Sequence, residues 1–118
     1  MVKKDLDNAR EWQKVLNALE ETVGKRPADL NGVLFLIGVQ ELGQGNKNFS
    51  KEEKQDLIHL GICKVLSLDG YYHLQGHDED GWPHWELVKK LPHFDLFEQE
   101  KLLKLNIIEY FQKEVGLV

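Results

Sequence analysis

The sequence predicts a mainly α fold: a single-domain bundle of about four helices with one β-hairpin between helices three and four. Two observations lead there. Apolar residues recur every three or four positions through most of the 118 residues, the period that lines up one face of a helix. One stretch, residues 71–87 (YYHLQGHDEDGWPHWEL), departs from that period and bends on an acidic turn ending in glycine. A chain of this length can bury one core, and 42% hydrophobic with 30% charged residues is a globular balance rather than a disordered one. One domain is therefore expected over residues 1–118, with the hairpin at about 71–88.

The first helix is expected over residues 5–23, where Leu6, Ala9, Trp12, Leu16, Leu19 and Val23 form one apolar stripe. Gly24 is placed to end it, and Pro27 suits the first turn of the next helix. That second helix, over 28–42, has Leu30, Val33, Leu34, Phe35, Leu36, Ile37 and Val39, which leave little wet face and mark it as central. Glu41 lies near its end and is expected to be exposed, because unpaired charges are seldom buried; a buried carboxylate with a partner is the alternative.

Residues 43–48 read as a turn-rich loop. Ser50 with Glu53 then makes a capping box that starts helix three. Its buried arc is Leu57, Ile58, Gly61, Ile62, Val65, Leu66 and Leu68, and Asp69-Gly70 stops it. The last helix opens at Asp95, where Glu98 repeats the capping logic after Pro92, and continues through Leu102, Leu103, Ile107, Ile108 and Phe111 to about Val115. Trp12, Trp85, Tyr71 and Tyr72 are expected at the core or its edge.

The register of the hairpin decides what its side chains can do, since paired residues share a face and neighbours along a strand alternate. If Asp78-Glu-Asp-Gly81 forms the whole loop, His77 pairs with Trp82 and His73 with Glu86. One face then carries Tyr72, Leu74, Pro83, Trp85 and Leu87; the other carries His73, Gln75, His77, Trp82, His84 and Glu86. Pairing Asp78 with Trp82 would mix apolar and polar groups on both faces. The first register is expected because one face must lie on the helices.

Two constellations carry candidate chemistry. His73, His77, His84 and Glu86 offer imidazole and carboxylate ligands for a divalent metal such as zinc, which makes a metal-binding protein or metal-dependent enzyme the alternative function, set against the plainer reading of a wet sheet face. Glu52, Asp56, His59 and Cys63 fall along one side of helix three, where they could ligate a metal or where His59 could activate the Cys63 thiol. The plainer reading there is a half-buried shoulder with an inert cysteine. The acidic turn is not an EF-hand, since Gly76 and Leu87 stand where the first ligand and the closing glutamate belong. No cofactor is otherwise expected.

Charge bounds the partners. A net charge of −5 and a pI near 5.5 are poor for nucleic acid. The order helix, turn, helix, hairpin is also that of a winged helix, but Lys51, Lys54 and Lys64 are set against Glu52, Glu53 and Asp56 on the helix that would have to read DNA. The longest strongly apolar run, residues 33–39, is too short to span a bilayer, and the first ten residues show no secretory signal. With a single cysteine no disulfide forms within the chain, and a cytoplasmic protein is expected. The expected function is a non-catalytic protein–protein interaction module, contacting a protein partner or its own copy through Trp82, His84 and Glu86, because an outward tryptophan among polar groups is an interface signature.

Overall fold

The computed structural model describes residues 2–45, 48–93 and 95–116, with side chains from residue 8 onward except that of residue 115. In chain order it contains α1 (Val2–Val23), α2 (Leu30–Leu42), α3 (Lys51–Ser67), β1 (Tyr72–His77), β2 (Pro83–Leu87) and α4 (Leu96–Tyr110), which runs into a wider π-helical turn at Phe111–Val115. This is the mainly α fold expected, with the hairpin between the third and fourth helices. Contacts divide the chain into two units: Met1–Ala28 with Phe94–Val118, and Asp29–His93. Among the described residues no helix is long and apolar enough to cross a membrane.

In the first unit α1 packs on α4. Val15 and Leu19 are buried on α1, and Ile107, Ile108 and Tyr110 on α4. The expected stripe of α1 holds from Trp12 to Leu19 and fails at both described ends, where Ala9 and Val23 are exposed; the Leu6 side chain lies outside the described residues. Gly24 ends α1 with φ 81°, a left-handed conformation natural to glycine, and its N–H donates to the Glu20 carbonyl at 2.9 Å. The chain then turns back so that the Arg26 guanidinium donates to Asn17 Oδ1 at 2.7 Å and Gln13 Oε1 at 2.5 Å. At the start of α4 the Asp95 carboxylate accepts the Glu98 N–H at 2.8 Å, the cap the sequence announces.

The second unit begins with a correction. Helix two starts at Leu30, not Ala28, and Pro27 stands outside it. Asp29 is its cap, accepting the Gly32 N–H at 2.9 Å; a side-chain acceptor satisfies one of the orphan N–H groups of the first turn, which proline cannot do. Val33, Leu34 and Ile37 of α2 are buried with Leu57, Leu60, Val65 and Leu66 of α3. The two helices meet backbone to backbone. Gly38 faces the Leu57 carbonyl, Gly61 faces the Leu34 carbonyl, and a Cβ at either glycine would overlap the facing oxygen.

Around this crossing the details are local. The Ser50 hydroxyl accepts the Glu53 N–H at 3.1 Å and Glu53 Oε1 accepts the Ser50 N–H at 2.9 Å, completing the capping box. Phe35 and Phe49 meet edge to face with centroids 6.2 Å apart. Glu41 is not simply exposed as expected. It is half-buried, with Lys64 Nζ at 3.8 Å, so its charge is partly withdrawn from water beside a cation. Asn46 and Lys47 of the preceding loop lie outside the described residues.

Alanine at Gly38 or Gly61 is expected to force α2 and α3 apart and to lower stability by about 2–3 kcal/mol, as overpacking of a tight contact does. Alanine at the exposed Asn31 of α2 should change it by less than about 0.5 kcal/mol. Urea denaturation of the three variants measures the contrast.

Candidate functional site

The hairpin follows the expected register at its base and leaves it halfway, and the side expected to lie on the helices is not sealed there: Leu74 and Leu87 are exposed, while Trp82 and His84 of the other side turn toward α3. Tyr72 pairs with Leu87, His73 with Glu86 and Leu74 with Trp85, as expected. Then Gln75 is bulged out, and Gly76 pairs with His84 and His77 with Pro83. Gly76 carries the irregularity with φ 147°, where a side chain would be strained. The bulge corrects the expectation that all three histidines share a face. His73, His84 and Glu86 stay together on one side, while His77 now shares a side with Pro83 and Trp85.

Beyond the bulge the tip is organised by Asp78. Its N–H donates to the Trp82 carbonyl at 3.0 Å and its carbonyl accepts the Gly81 N–H at 3.0 Å. Its Oδ1 accepts the N–H groups of Asp80 at 2.9 Å and Trp82 at 3.0 Å. Oδ2 lies 3.0 Å from His84 Nε2, which donates, because an ionised carboxylate only accepts. The bond from His84, reinforced by those backbone N–H groups, holds the Asp78 carboxyl below its ordinary 3.8. From the loop after α2, Gln44 Nε2 donates to the Asp80 carbonyl at 2.6 Å and ties the tip down.

The base of the hairpin meets α3 through Tyr72 and Cys63. Burial pushes the Cys63 thiol up to about 11 from 9.0, and a hydrogen bond from the Tyr72 hydroxyl pulls it back only in part. Tyr72 is raised in turn, by burial first and then by the sulfur beside it. His59 Nε2 stands 3.5 Å from Cys63 Sγ, so the pair read from the sequence is real as a contact. Its chemistry runs the other way from activation, since the thiol is held protonated.

Between α3 and the hairpin lies an open groove of about 520 Å³. Asp56, His59 and Cys63 line it from α3, and Trp82 and His84 from the hairpin, so parts of both sequence-read constellations share one site. Glu52, His73, His77 and Glu86 do not line it. Trp82 is not the freely exposed ring expected. It is half-buried, as is Trp85, which lines the same groove. The sequence reading passed over Glu53, Asp80 and Pro83, which also contribute. Among the described residues no three His, Cys, Asp or Glu side chains come together so as to hold a metal ion.

At pH 8 the native Cys63 thiol should react with iodoacetamide at least about a hundredfold more slowly than in the denatured chain, since a two-unit rise in pKa removes that much thiolate. The neutral thiol favours the fold, so its contribution is full below pH 9.0 and is lost as pH climbs through about 11. For Asp78 the sign is opposite. Its turn is held fully above pH 3.8 and should loosen as pH falls through the depressed native value, seen as faster hydrogen exchange at the Trp82 amide. Asp78→Ala should produce the same loosening at neutral pH. No family model, no curated protein and no solved structure matches this chain, and the reading of the groove rests on the side chains that line it.

Proposed function

We propose that this chain is a non-catalytic protein–protein interaction module, cytoplasmic, whose contact surface is the hairpin tip with the groove beside it. Trp82 and His84 are its centre, and Glu86 extends it along the exposed hairpin face that also carries His73. The observation that supports this most directly is the pair of half-buried tryptophans, Trp82 and Trp85, lining an open groove. Tryptophan supplies a large rigid face at little entropic cost and is enriched among the residues that dominate interface energetics.

Two further features favour recognition over chemistry. The Cys63 thiol at the groove is kept neutral by burial. The imidazole of His84 is occupied in holding the turn through Asp78. Nucleic acid is the poorer partner on charge: the chain carries −5, and Lys64 of α3 stands beside Glu41.

Trp82→Ala is the test, with His77→Ala as a hairpin variant outside the groove. Association is to be read by light scattering for self-contact and by pull-down for other proteins. Trp82→Ala should weaken binding about thirtyfold, the cost of truncating a central interface tryptophan, and His77→Ala should not. Association unchanged by Trp82→Ala, with every partner and at every concentration, removes the reading.

A further inference from the structure

Resting on that reading, we propose that the groove between α3 and the hairpin receives a basic, arginine- or lysine-bearing extended segment of a partner protein. The carboxylates of Glu53 and Asp56 come from α3 and those of Asp78 and Asp80 from the hairpin, and no lysine or arginine is among the described residues that line the groove. Glu53 spends one oxygen on the helix cap, and Asp78 spends both on the turn and on His84. Asp56 and Asp80, on the two different elements, are exposed and are paired by no described side chain. Trp82 and Trp85 of the hairpin line the same groove.

This combination selects its occupant. A guanidinium or ammonium group gains from lying over an indole face and from donating to carboxylates at the same time, and arginine does both with its planar fork. A bare metal ion is a poor occupant, because no three ligating side chains converge among the described residues. An acidic or phosphorylated segment would meet the carboxylates with like charge. At about 520 Å³ the groove is larger than one ion or one side chain requires, which suits a run of backbone carrying its basic residue inward.

The experiment uses the full chain labelled with nitrogen-15 and follows the three indole N–H signals, of Trp12, Trp82 and Trp85, by NMR. The probe is a blocked hexapeptide alternating glycine and arginine, with the matching glycine–glutamate peptide as control. The expected result is a saturable shift of the Trp82 and Trp85 signals with the arginine peptide, no response to the glutamate peptide, and a stationary Trp12. Asp56→Asn combined with Asp80→Asn, both exposed positions, should weaken that binding at least tenfold without moving the thermal unfolding of the chain. A flat titration, equal response to both peptides, or undiminished affinity in the double variant overturns the proposal. So does a shift of Trp82 on raising protein concentration alone, which would put a second copy in the groove. If Trp82→Ala abolishes association with a partner while the arginine peptide fails to bind, the interaction module stands and its basic occupant falls.

Discussion

The reciprocal contact of Gly38 with the Leu57 backbone and of Gly61 with the Leu34 backbone is the constraint on which the Asp29–His93 unit is built. Helices ordinarily cross with 8–10 Å between axes, the spacing being set by the side chains at the contact. Here both contact positions lack a side chain, so the backbones themselves touch, and Cα–H groups come within reach of carbonyl oxygens. A glycine inside a helix costs about 1 kcal/mol relative to alanine. Two of them are offset only if the close approach is repaid in packing. The repayment is visible in Leu34, Ile37 and Leu57, which exclude water almost completely beside the crossing. It also answers the problem set by α2, a helix so apolar that it needs cover on most of its sides.

The hairpin depends on that pair in turn. Two strands alone are marginal in water, and this ribbon has three anchors. At its base Tyr71 is buried, its carbonyl accepts the Val88 N–H at 2.9 Å, and the Lys89 ammonium lies 4.4 Å from the centre of its ring. Along its length Tyr72 reaches Cys63 on α3. At its tip Gln44, just past the end of α2, holds the Asp80 carbonyl. The hairpin's contacts thus run to Cys63 of α3 and to the loop that follows α2.

What the sequence disclosed and what it withheld divide along a physical line. The capping box of Ser50 and Glu53, the Asp95 cap and the Gly24 stop are local, because each is a side chain or a free φ acting within one turn, and all three stand as read. Asp29 was missed as a cap because Pro27 offers a competing local signal two residues earlier. Glu41 was misjudged because Lys64, its neighbour, lies 23 positions along the chain on another helix. Gly76 is the instructive case. A glycine inside a strand is a recognisable bulge signal, and giving it weight would have moved His77 to the other face from the sequence alone. The groove was beyond reach for a different reason. Asp56 and Trp82 were each singled out, but only the fold of the hairpin over α3 joins them, and no periodicity encodes that meeting.

The character of the groove follows from how its polar groups are already employed. Catalysis needs groups whose ionisation is poised and whose bonds can change during reaction. Cys63 is protonated by burial, His84 and Asp78 are engaged with each other and with the turn, and Glu53 holds a helix end. What remains is a carboxylate on each wall, the His59 imidazole with its 3.5 Å contact to Cys63, and the two tryptophans. In the reading proposed above, these groups would hold a partner by staying as they are, because a surface already fixed in shape loses little freedom on binding.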